Sequence, residues 1–239
     1  MKKLKYFLAL SLVVLLASGC EMVAHYETTI SSNKNVTQRI IVAVDDEMIE
    51  GMLSMENMDE EGTTYTEDEK WEMVDSMFEE EGDFDYEGFT KERYETPEGL
   101  KGYQFSKDLG NIDALTGDVI TFSLNDGDQD EDLIMFQKRG NNYFTEFMAG
   151  EPVDTSDTEG YDITYNVKYI VNLPNKAISH NATEVSEDGK TLTWDLTQSL
   201  DTISYEFAFS NNTVMYIIIG VLVVCAVVAF VLLNKKKKN

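Results

Sequence analysis

The chain has 239 residues, of which 44 are acidic and 19 basic, and its formal charge is −25. So negative a surface repels nucleic acid and anionic lipid headgroups within a Debye length of about 8 Å, so neither is an expected partner. The two cysteines, Cys20 and Cys225, have none between them, which excludes a disulfide-stapled fold, and the intervening chain is long enough to bury a core without one.

The first signal along the chain is Lys2, Lys3 and Lys5 ahead of an apolar run over 6–16 and the small residues Ala17, Ser18 and Gly19. This is the layout of an export signal. Its end at Cys20 resembles the lipobox of bacterial lipoproteins, which implies that 1–19 is a lipoprotein signal peptide and that the Cys20 thiol carries a diacylglyceryl group. At the far end, 214–233 is apolar and uncharged and is followed by Lys235, Lys236, Lys237 and Lys238. At about 1.5 Å per residue it spans about 30 Å, the thickness of a bilayer core, and reads as a transmembrane helix. The lysines predict that 234–239 is a cytoplasmic basic tail and that 20–213 is extracytoplasmic. Localisation is therefore expected at the cell membrane of a Gram-positive bacterium, single-pass with a lipid-anchored amino terminus.

The body holds all of the acidic residues. Residues 26–30 and 37–44 read as two strands joined at Asn33-Lys34-Asn35, the second carrying the β-branched run Ile40, Ile41, Val42 and Val44. The period then changes to helical. Met48, Ile49, Met52, Leu53 and Met55 share one face of a helix over 46–58, and Thr66 with Glu69 forms a capping box ahead of the stripe Trp71, Val74, Met77 and Phe78. This section, 45–98, holds half of the acidic residues against Lys70, Lys91 and Arg93, and is expected to repel itself and depend chiefly on that stripe. Strands resume over 101–107, 118–124, 132–138, 143–148, 161–172, 176–185, 190–196 and 202–209. Asp126-Gly127, Asn141-Asn142 and Asp188-Gly189 mark turns, the last as a hairpin dipeptide with positive φ at both places. The fold class expected is α+β: an antiparallel sheet, strongly curved or even barrel-like, with two helices inserted after the second strand and one carboxy-terminal transmembrane helix.

Pro174, Asn181, Gly189 and the run Thr191-Leu192-Thr193-Trp194-Asp195-Leu196 resemble the closing portion of the LppM-type bacterial lipoprotein domain. The lipobox, early strand pair, variable helical section and terminal membrane helix are similar in their order. The resemblance implies an α+β envelope domain over 20–213 that binds phospholipid-derived glycolipid. From the residues themselves, Trp194 between Leu192 and Leu196 on one strand face reads as core.

No G-x-S-x-G motif and no cysteine in the body offer a nucleophile, and His25 and His180 lack ligand spacing, so neither an enzyme nor a cofactor is expected. Asp126, Asp128, Asp130 and Asp132 could gather a hard cation weakly, although Glu131 and Gln137 break the EF-hand pattern. Six methionines cluster in the two helices, and among them Met48, Met52, Met55 and Met77, with Trp71, are the candidate contacts for a ligand or partner. The expected function is non-enzymatic: a membrane-anchored surface lipoprotein that binds an amphiphilic or lipid-like envelope component near the membrane. The alternative is an interaction module whose acidic helical section docks a basic envelope protein.

Overall fold

A computed structural model describes residues 20–57, 63–80, 88–117, 120–121, 133–134, 136–149, 152 and 163–209. The signal 1–19, the acidic loop 126–132 and the apolar stretch 214–233 lie outside them, and among the described residues no helix is long and apolar enough to cross a membrane.

Strands β1 (Cys20–Ile30) and β2 (Asn35–Val44) pair antiparallel, from Ile30 opposite Val36 to Met22 opposite Val44. Lys34 takes the left-handed conformation at φ 71° in the turn and donates its amide to the Ser31 carbonyl at 2.9 Å. Two helices follow, α1 (Asp46–Asn57) and α2 (Glu67–Glu80). Next come β3 (Thr90–Glu95), β4 (Lys101–Asn111), the single turn α3 (Ile112–Leu115), β5 (Ile120–Thr121), β6 (Leu133–Ile134), β7 (Phe136–Arg139) and β8 (Asn142–Met148). The chain closes with β9 (Ile163–Asn172), β10 (Ser179–His180), β11 (Glu184–Val185), β12 (Thr191–Asp195) and β13 (Thr202–Ala208).

These strands build a seven-stranded sheet ordered β11-β12-β9-β1-β2-β4-β3 and a four-stranded sheet ordered β10-β13-β8-β7, with β5-β6 as a small pair. The protein is α+β, strand-rich, and neither large sheet closes into a barrel. The large sheet is also not purely antiparallel: β9 runs parallel to β1, with Cys20 opposite Ile163 and Thr29 opposite Asn172. Alternation along a strand carries no sign of direction, so this pairing was beyond the sequence pattern.

Three further expectations are corrected. Residues 176–185 are not one strand, because the segment changes sheets: β10 pairs with β13 in the second sheet and β11 with β12 in the first. Between them sits Asn181, whose Oδ1 accepts from Trp194 Nε1 and from the Ser204 amide, both at 2.9 Å, while its Nδ2 donates to the Thr202 carbonyl at 2.7 Å. At Asp188-Gly189 only Gly189 has positive φ, 69°, and a Cβ there would lie 2.7 Å from Lys176 Cγ. Strand β3 was missed because its sequence TKERYE is polar and mostly exposed, as an edge strand can be.

The two sheets meet on aromatic rings. Trp194 is fully buried between Tyr169 and Tyr205, with centroids 5.8 and 5.9 Å away, and Phe147 packs edge-on to Tyr169 at 5.5 Å. The core reading of Trp194, Leu192 and Leu196 therefore holds. The helices join this same core through Ile49, Leu53, Val74 and Phe78.

Candidate functional site

The face of β1 that bears Met22, Ala24 and Tyr26 lies level with Val44, Val42 and Ile40 of β2, and with Tyr165, Val167 and Tyr169 of β9. Where β1 begins, α1 and α2 stand over this face without filling the space. The result is an open cleft of about 550 Å³ with a floor of Met22, Val42, Val44, Ile163 and Tyr165. Its walls are Met48, Met52 and Glu56 from α1 and Met73, Ser76, Met77 and Phe78 from α2.

Local chemistry fixes both walls. Asp45 caps α1, its Oδ1 accepting from the Met48 amide at 2.8 Å, and ties it to β1, its Oδ2 accepting from the Glu21 amide at 2.7 Å. Helix α2 starts with the capping box read from the sequence: the Glu69 amide donates to Thr66 Oγ1 at 3.3 Å and the Thr66 amide to Glu69 Oε2 at 2.7 Å. Spacings of four residues then bring Met48 with Met52, and Met73 with Met77, to the cleft side of their helices.

Charge repulsion inside the helical section is met by two buried lysines. Lys70 Nζ lies 2.7 Å from both Asp46 Oδ2 and Glu50 Oε1, and Lys101 Nζ, from β4, lies 2.6 Å from Asp46 Oδ1 and 3.3 Å from Glu67 Oε2. Burial works against ionising all three groups, but their mutual hydrogen bonds outweigh it, so Asp46 is held below the usual carboxylate range and both lysines above theirs. Strand β3 braces the outer side of α2. Arg93 pairs with Asp75 and lies 5.2 Å from the Trp71 ring centroid, and Lys91 Nζ donates to the Phe78 carbonyl at 3.2 Å. The section is thus held by an ion network and a shared core, beyond the one apolar stripe expected.

Of the predicted contacts, Met48, Met52 and Met77 line the cleft. Met55 is 62% exposed on α1 and Trp71 faces Arg93, so neither lines it. Met22, Ile163 and Tyr165 were missed because they come from strands far apart in sequence. The alternation Met22, Ala24, Tyr26 could have extended β1 back to Cys20. Cys20 itself is half-buried at the first position of β1, opposite the cleft residue Ile163. The candidate cation residues Asp126, Asp128, Asp130 and Asp132 lie outside the described residues.

On the other face of β1 a polar hollow of about 430 Å³ is lined by Glu21, His25, Glu27, Arg39, Glu98 and Lys168, among others. Burial holds the His25 imidazole below its usual range. The two faces of one strand thus border two different environments, one rich in methionine and one charged.

The fold and site define a two-sheet α+β domain with an apolar cleft beneath a helix pair. No family model matches the sequence, and no curated protein matches it either. Among solved structures the chain is similar to the NMR structure of the folded domain of LppM from Mycobacterium tuberculosis, at 15% identity and a TM-score of 0.41, over 82% of this chain and 94% of that one. A likeness of that size carries no argument about ligand or activity.

Proposed function

We propose that the protein is a non-enzymatic, membrane-anchored surface lipoprotein that binds the apolar part of an amphiphilic, lipid-like envelope component in the methionine cleft. The observation that supports this reading is the cleft itself. At about 550 Å³ it falls in the range of roughly 300–1,000 Å³ typical of small-molecule sites. Its methionines, Met22, Met48, Met52, Met73 and Met77, are unbranched and adapt to an irregular apolar guest. Among the described residues Glu56 is the single charged residue of the lining, which disfavours an anionic head drawn deep inside. The export signal, Cys20 and the 214–233 stretch supply the anchorage in this reading. Native mass spectrometry of the soluble 21–213 fragment tests it: a co-purifying lipid of defined mass is expected, and Met52→Glu, which adds a second carboxylate one helical turn from Glu56, should abolish it. A wild-type fragment that stays bare after incubation with extracted envelope lipids would overturn the reading.

A further inference from the structure

The two anchors leave the domain from opposite ends of one strand. Cys20 is the first residue of β1, whose 11 residues extend for about 33 Å to the hairpin at Ser31–Lys34. The other exit, Phe209, lies at that hairpin: its ring packs against Tyr143 at 5.3 Å between centroids, and Lys34 Nζ is 5.4 Å from its centre. Only 210–213 separate Phe209 from the apolar stretch, a tether of at most about 18 Å when fully extended. Cys20 has no tether at all, since it is already in the strand.

A lipid on Cys20 and a span beginning at 214 can share one leaflet only if β1 leans over. With about 18 Å of slack at one end of a strand of about 33 Å, its axis lies within roughly 35° of the membrane plane. The rotation about that axis follows from side-chain alternation. Cys20 shares a face with Met22, the face that carries the cleft, whereas the opposite face is charged, with Glu27 paired to Arg39 and with Glu21, Glu98 and Lys168 beside them. Around the cleft, Met52 is 36% and Met55 62% exposed, an apolar edge suited to contact with acyl chains.

Resting on the anchored, lipid-binding reading above, we infer that the domain reclines with the cleft opening onto the bilayer, and that the occupant is one acyl chain of an uncharged or zwitterionic lipid of the outer leaflet. The volume suits an acyl chain: at about 550 Å³ the open cleft falls in the range of roughly 300–1,000 Å³ typical of small-molecule sites. The head stays at the mouth, where the acidic body repels an anionic group and tolerates a neutral one.

The test uses the full chain, processed in a lipoprotein-maturing bacterial host and reconstituted in phosphatidylcholine vesicles with chain-brominated lipid as quencher. Cys225→Ala removes the competing thiol, and a fluorophore is placed at Met52→Cys on the cleft, at Met55→Cys beside it in case the first perturbs α1, or at Ser32→Cys on the hairpin. The reclining pose predicts quenching at both ends of β1, and Cys20→Ser in a chain exported on a cleavable non-lipoprotein signal should abolish it at 52 and 55 while sparing 32. Quenching at 32 alone, in a chain whose mass shows the acyl group, would overturn the pose and leave lipidation standing. A chain with no acyl mass would instead remove the reading on which the pose rests. For the occupant, photoactivatable phosphatidylcholine should cross-link to peptides covering 46–57 and 67–80 more strongly than phosphatidylglycerol does. Equal or reversed labelling would overturn the assignment of a neutral lipid.

Discussion

Asp46 is the point through which both helices and β4 are joined, and its removal should be the most informative single change in the helical section. The side chains of Lys70 and Lys101 are 9% and 5% exposed, so their charges depend on nearby carboxylates. Asp46→Ala leaves Lys70 with Glu50 at 2.7 Å but leaves Lys101 with Glu67 at 3.3 Å, itself 68% exposed. Stripping a buried charge of its partner costs about 3–5 kcal/mol. Asp46 is 42% exposed and each lysine keeps one carboxylate, so solvent screening reduces the expected loss to about 2 kcal/mol. For a domain of this size that lowers Tm by roughly 4–8 °C. Lys101→Met removes the buried charge at similar volume and should change stability by less than about 1 kcal/mol. The double variant should then be more stable than Asp46→Ala alone, because the stranded ammonium is gone. Urea unfolding of the 20–213 domain measures all three. A loss below about 0.5 kcal/mol for Asp46→Ala, or simple additivity in the double variant, would refute the assignment of this network as the clamp.

Trp194→Phe keeps most of the ring contact but deletes the indole donor to Asn181, and should cost about 1–2 kcal/mol by chemical denaturation. Gly102→Ala should prevent folding, seen as loss of cooperative unfolding, since its Cβ would stand 1.9 Å from the Val42 carbonyl oxygen of the neighbouring strand. Lys34, Tyr143 and Lys138 hold Asp113 below the usual carboxylate range. Because its folded pKa is depressed, the stability it contributes is complete above the unfolded value near pH 4 and is lost as pH falls through the folded one; Asp113→Asn should flatten the acid limb of a stability–pH curve. A mutant curve that falls as steeply as the wild type would show that this cluster does not set the acid response.

Those features that live within a few residues of one another were legible. The capping box at Thr66 and Glu69, the helical face bearing Met48 and Met52, and the alternation that buries Leu192 and Trp194 all appear where the sequence places them. Each depends on local geometry alone. What escaped depends on neighbours remote in the chain: the parallel partner of β1, the change of sheet at Asn181, and the floor residues Met22, Ile163 and Tyr165. The charge count of 45–98 also did not show how that charge is paired, because one of the cations that meet it, Lys101, lies outside that section.

The parallel pairing of β1 with β9 bears on timing. The first of the described strands to be synthesised is an interior strand of the large sheet, and one of its two neighbours starts only at Ile163. Contacts so distant in sequence are slow to form, because the loop between them must close before they contribute. On the export proposed above that delay is useful: with β1 lacking its partner until most of the body has been synthesised, the domain cannot complete its sheet early and stays threadable. The same delay leaves one edge of β1 open for as long as β9 has not docked, and that interval is when the protein is most exposed to strand-to-strand association with its own copies.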